Sequence, residues 1–260
     1  MKKVTLFLGI LFFSFFVSNF YAQTIDDLLK DCDKLYWEFN NQGSLDAALK
    51  ADKKFPNNWE VQWRISRGYV KIADHMPTST GDQKDAQSAT YQKALTFADA
   101  AIKLAGDKSV TYLRRAIANG KIALFKGVFS VSGVVKQVRD DCLKAIELGN
   151  GGNEIQALSH YILARTHAKI SEKWKPARAV LGLGWADNEV AIEEYKKAIA
   201  LNQSFLMFYI DYAISLERED MYKEAKEALN TAFKMQKKDD ADDARIEEGK
   251  KLYEEIKNKN

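Results

Sequence analysis

The stretch FYIDYAISLEREDMYKEAKEALNTAF, Phe208–Phe233, decides the fold. Tyr209, Tyr212, Ala213 and Leu216 recur at the three- and four-residue spacing that puts side chains on one face of a helix. Ala225, Leu229 and Ala232 do the same for a second helix, and the polar run EREDMY, 217–222, turns the chain between them. The pattern predicts two short antiparallel helices that meet through small residues. Ala213 lets the second helix close on the first, and Ala225 and Ala232 let it approach the first helix of a following pair. Tyr209 and Leu229 fill the space left between. A pair of this kind cannot bury its apolar face alone, so pairs must stack.

The second-helix triplet recurs toward the N-terminus. It reads Ala94–Ala98–Ala101 in ATYQKALTFADAAIKL, Val138–Cys142–Ala145 in VVKQVRDDCLKAIEL and Ala191–Tyr195–Ala198 in VAIEEYKKAIALN. A helical apolar segment precedes each: VQWRISRGYVKIAD, TYLRRAIANGKIAL and LSHYILARTHAKI. This pattern resembles the tetratricopeptide repeat, whose first helix (A) carries an aromatic and a small residue and whose second (B) carries Ala, an aromatic or apolar residue, and Ala. The resemblance covers about residues 59–236. It implies an all-α fold, a superhelical α-solenoid of about five helix pairs plus a C-terminal capping helix. The proline expected after helix B is missing from these four units, where Gly106, Asn150, Gln203 and Lys237 stand at or beside its place.

The spacing is irregular. Successive triplets start 44, 53 and 34 residues apart, and only the last matches the period of about 34. The extra length falls between helices A and B: HMPTSTGDQKDAQS reads as a polar loop, GKIALFKGVFSVSG as an extension of its helices, and SEKWKPARAVLGLGWADN as an aromatic, Gly-containing insert. WRISR, the long helix-B segments and this insert before EVAIEEYKKAIALN are similar to the regulator of microtubule dynamics family. They also resemble, more weakly, the periplasmic tetratricopeptide component of tripartite transporters. Neither resemblance names a function, because one fold hosts many.

At the N-terminus, MKKVTLFLGILFFSFFVSNFYAQ has a short basic start, an apolar run from Val4 to Val17 and a small residue at Ala22. That is the layout of a secretory signal peptide over residues 1–22. The run is short for a membrane span, and no cysteine follows closely enough for a lipoprotein. The expectation is a periplasmic or secreted chain whose solenoid occupies 23–260, with a degenerate first helix pair in TIDDLLKDCDKLYWEFNNQGSLDAALKADKKFP and a polar last helix in DDADDARIEEGKKLYEEIKNKN. Without Lys2 and Lys3 the 39 basic residues become 37 against 36 acidic, a net of +1 that offers no basic field for nucleic acid. Cys32 and Cys142 both sit on apolar stripes and read as buried thiols, with a disulfide open if they meet.

Catalytic signatures are lacking: no G-x-S-x-G, H-E-x-x-H, phosphate-binding glycine loop or C-x-x-C is present. No cofactor or metal is expected. His160 and His167 read as packing or surface residues, and Asp239, Asp240, Asp242 and Asp243 as a solvated helix start. The expected function is therefore binding along the concave face lined by the A helices. If Ser66, Ala116, Ala164 and Ala213 are the small packing positions, the residues three before and one after them face the groove: Trp63 and Arg67, Leu113 and Ile117, Tyr161 and Arg165, Ile210 and Ile214. Arginine beside aromatics suits a protein or peptide partner, or a carboxylate. Trp174 and Trp185 of the insert either cap the groove as a lid, which favours a small hydrophobic ligand and association with a transporter, or cover the ends of neighbouring helices.

Overall fold

A computed structural model describes residues 23–127 and 130–260. The expected signal peptide lies outside the described residues. Helix pairs follow one another along the chain: α1 (Ile25–Trp37) with α2 (Asn41–Lys54), α3 (Trp59–Asp74) with α4 (Gly81–Leu104), and α5 (Ser109–Lys126) with α6 (Ser132–Leu148). Then come α7 (Gly152–Ser171), the one-and-a-half-turn α8 (Lys175–Val180) and α9 (Asn188–Leu201), with α7 and α9 forming the fourth pair. The fifth pair is α10 (Leu206–Glu217) and α11 (Tyr222–Ala232), and α12 (Asp242–Ile256) caps the end. The chain is an α-solenoid of five pairs and a cap. Among the described residues no helix is long and apolar enough to cross a membrane.

Local chemistry sets the helix starts. Thr24 accepts a hydrogen bond from the Asp27 amide while the Asp27 carboxylate accepts from the Thr24 amide, and Thr80 and Gln83 repeat this reciprocal arrangement for α4. Asn58 and Asp187 accept from the first free amides of α3 and α9. The capped start at Thr80 also corrects one expectation. GDQKDAQS is helical rather than loop, because Thr80 supplies the cap and the run holds no breaker after Gly81; α4 gains two turns and only 75–80 remain as connection.

The small positions Ser66, Ala116, Ala164 and Ala213 are all fully buried, as are the alanines of each triplet. The first pair has its own triplet, Ser44–Ala48–Ala51, also buried and followed by Pro56. Apolar packing is divided into successive clusters, each drawn from neighbouring helices: α1, α2 and α3; α3, α4 and α5; α7, α9 and α10; α10, α11 and α12. Cys32 belongs to the first cluster and Cys142 to one formed by α5, α6 and α7; both are free and buried. The insert docks on the ends of α5, α6 and α7, where Leu183 and Ala186 meet Ala123, Val135 and Ile170. Arg178 donates to the Ala186 carbonyl and ties it down (2.5 Å).

Helix α12 closes on α10 through Gly249. A Cβ there would lie 2.6 Å from Ile210 Cδ1 and 3.1 Å from Phe233 Cε1. Gly249→Val is expected to lower stability by about 1–3 kcal/mol through overpacking. A thermal melt unchanged from the wild type would show that this crossing opens without cost.

Candidate binding groove

Helical geometry decides which residues of each A helix reach the groove. At 100° per residue, the position three before a small residue lies about 60° from it, still inside the packing interface. The position one after lies at about 100°, the fifth after at about 140° and the second before at about 160°. The structure follows this division. Leu113 and Ile210 are fully buried between helices and line no cavity; they are not groove residues, and the 60° offset is the reason. Tyr161 is also buried, but its ring borders the cavity and its hydroxyl donates to Asp211 (2.7 Å). Trp63 stands beneath the guanidinium groups of Arg64, Arg67 and Arg114.

One position after each small residue, Arg67, Ile117 and Arg165 line one cavity of about 150 Å³, and Ile214 lines a smaller neighbour shared with Arg165 and Arg218. Five positions after them comes a basic residue in each of these four units: Lys71, Lys121, Lys169 and Arg218. Lys71 and Lys121 border the main cavity. Trp174 and Trp185 border neither cavity. Trp174 is 74% exposed, and Trp185 packs edge-on to His167 under the Arg139 guanidinium. The insert therefore covers helix ends and is no lid, because its buried side chains point at α5, α6 and α7.

The chain's own C-terminal segment, a strap over residues 233–241 between α11 and α12, runs along one side of the groove. Lys71 donates to Asp239 (2.6 Å) and Asp240 (2.9 Å), Asn41 donates to Asp240 (2.6 Å), and the His75 ring nitrogen lies 2.8 Å from Asp240. Asp239 and Asp240 are thus ion-paired across the groove rather than solvated, since Lys71 offers them a partly buried cation. Asp242 is buried and accepts from the Lys238 and Asp239 amides, which folds the strap back onto the start of α12. Burial opposes the charge on Asp240, but its three donors outweigh it and hold the carboxyl far below the ordinary range. Burial likewise opposes the Lys71 ammonium, and Asp239 and Asp240 raise it nonetheless.

Almost all the charge in the cavity is balanced by carboxylates. Arg67 pairs with Asp33 (2.6 Å), Lys121 with Asp74 (2.7 Å), and Arg165 (3.3 Å) and Arg245 (2.5 Å) with Asp211. Asp33 also holds Arg64 (2.7 Å), and these two arginines keep its carboxyl below the usual range although burial pulls the other way. Arg114 is the exception. It has no acidic partner within 4.0 Å among the described residues, and burial, then the neighbouring Arg67 charge, pull its guanidinium down to about 10. It remains charged at neutral pH.

Arg114, Tyr36, Lys71 and the strap are absent from the residues expected from sequence. The five-residue offset of the basic ladder is visible in the sequence, and so is the offset that places Arg114. The strap is not, because its partners lie some 170 residues away. An ion pair of this kind contributes in full above the ordinary carboxyl value, near pH 4, and is lost progressively as pH falls from there through the depressed value of the folded chain. Lys71→Met is therefore expected to cost about 1–3 kcal/mol and to speed amide exchange in 239–256, with acid below about pH 4 doing the same to the wild type. Unchanged protection of 239–256 in the variant would show that the strap is held by other contacts.

The sequence model of the regulator of microtubule dynamics protein 1-3 family matches residues 28–257. Comparison with curated protein sequences finds no match. Among solved structures, the chain is similar to TTC0263, a thermophilic TPR protein of Thermus thermophilus, at 16% identity with a TM-score of 0.62, over 88% of this chain and 100% of that one. It also aligns with MamA at 19% identity with a TM-score of 0.47, over 81% of this chain and 90% of that one. The first of these supports the tetratricopeptide fold. The matched span runs from within α1 to the end of the cap, and the chain belongs to the regulator of microtubule dynamics protein 1-3 family.

Proposed function

We propose that the protein is a non-catalytic scaffold that holds a segment of a protein partner in its concave groove. The observation that supports this most directly is the groove: A helices of successive pairs present Arg67, Ile117 and Arg165 to one cavity, with Tyr36 and Tyr161 at its wall. Aromatic and arginine side chains around a partly enclosed cavity are the anchor types of protein recognition. The described residues hold no cluster of three or more metal-ligating side chains, and the acidic groups of the groove are tied to its cations. A photo-crosslinker at Ile117, in native extract, is expected to capture one protein that the same group at Leu143, exposed on α6, does not. Equal capture from both positions, or none from Ile117, would count against the groove.

We further propose that the scaffold works in the periplasm or cell envelope, as part of an envelope complex. The support is the basic start, apolar run and small residue of 1–22. The mature chain purified from its native host is expected to begin at Gln23. A chain that keeps residues 1–22 and sediments with membranes would be anchored instead.

A further inference from the structure

Arg114 is a charge without an explanation in the fold. It is 8% exposed, lines the main cavity, and donates no hydrogen bond to any described residue. A buried cation left alone is costly, and folded chains neutralise such groups with a carboxylate or replace them by an apolar residue. Here the same cavity shows the usual remedy at Arg67, Lys71, Lys121, Arg165 and Arg245, each with its aspartate. The acids that act on Arg114, Glu154 and Asp33, do so without an ion pair, and Asp33 is already taken by both Arg64 and Arg67. The guanidinium is held over the Trp63 ring at 5.1 Å, with Arg67 over the same ring at 5.0 Å. The cavity therefore carries one cation without a carboxylate partner, on a planar, pre-positioned donor fork.

Beyond Arg114 the wall is mainly apolar, and the cations on it, Lys121 and Arg165, are held by Asp74 and Asp211. Ile117, Lys121 and Leu124 continue from Arg114 along one face of α5, and Ile162 and Arg165 face them from α7. These residues lead from the main cavity into a second pocket between α5, α6 and α7, whose further wall is Ala123, Val135, Val138 and Ile170. Ten residues of helix separate Arg114 from Leu124, a run of about 15 Å. An extended chain of four or five residues, or an alkyl chain of similar length, spans that distance at about 3.3 Å per residue.

We propose that Arg114 receives the carboxylate of a monocarboxylic ligand whose apolar body lies along Ile117 and Ile162 toward the pocket between α5, α6 and α7. One negative charge balances the one unpaired cation, and the apolar wall accepts the stem. The proposal rests on the groove being the ligand site, and not on the ligand being a protein: a polypeptide C-terminus ending in aliphatic residues and a free alkyl acid present the same chemistry.

The test is calorimetric titration of the full chain with octanoate and with N-acetyl-leucyl-leucine, each against its neutral amide and against inorganic phosphate. At least one acid is expected to bind tenfold or more tightly than its amide, with the difference erased in Arg114→Gln. Preference for octanoate assigns a free alkyl acid, and preference for the dipeptide a chain terminus. Acid and amide binding alike, no binding of either acid, or binding of phosphate alone would each overturn the assignment. Arg114→Gln removes an unpaired charge, so it is expected to fold with a melting temperature at or above that of the wild type. A measurement on the unmutated chain guards against its failing to do so: the Arg114 Nε–H resonance is expected to shift on adding the acid and to stay in place with the amide. A partner captured from Ile117 equally in wild type and Arg114→Gln would leave the scaffold standing and remove the carboxylate site.

Discussion

The close approach of helix A to helix B at a single small residue is the constraint on which the rest of the molecule depends. Ser66, Ala116, Ala164 and Ala213 have no side chain large enough to hold the neighbouring backbone away, and all are fully buried. Fixing that contact fixes the rotation of each A helix about its own axis. The rotation then decides everything on the inner face. Positions at about 60° from the contact are consumed by packing, and positions between 100° and 160° face the groove. Ile210 and Arg165 occupy comparable repeats, yet one is core and the other borders three cavities for this angular reason.

With rotation set, the groove becomes an electrostatic problem. A basic residue recurs five positions after each small residue, which lines the inside of the solenoid with cations. Placed together in a partly enclosed space they would repel. Aspartates meet two of them, Asp74 from the end of α3 at Lys121 and Asp239 and Asp240 from the strap at Lys71, and others meet the neighbouring arginines, Asp33 from α1 at Arg67 and Asp211 from α10 at Arg165 and Arg245. These pairs are formed between helices far apart in sequence, so they hold the curvature of the solenoid as well as its charge. Arg114 falls outside the scheme, since Asp33 is shared by two arginines already and Glu154 makes no ion pair with it.

Much of this was legible in the sequence, and the boundary is a physical one. The triplets at four- and three-residue spacing gave the repeats, since helix–helix contact is a local property of each pair. The offsets that select Arg67, Ile117 and Arg165 were equally readable. Leu113 and Ile210 were not separable from groove residues by spacing alone, because 60° and 100° differ by less than one residue's step. The first pair, with Ser44–Ala48–Ala51 and Pro56, carries the same signal as the others behind a weaker helix A. The docking of the insert and the strap was out of reach, since each depends on where the curvature brings distant segments.

The strap has a consequence for how the molecule comes apart. A stack of helix pairs is a linear array in which each unit feels only its neighbours, and its ends fray first. Joining Asp239 and Asp240 to Lys71, His75 and Asn41 connects the last unit to the first two. The array becomes a ring, and a ring has no end from which to unravel. Opening any one unit then strains its neighbours on both sides, and the five pairs melt together rather than in sequence. The few polar contacts of this short segment thus set the cooperativity of the whole chain.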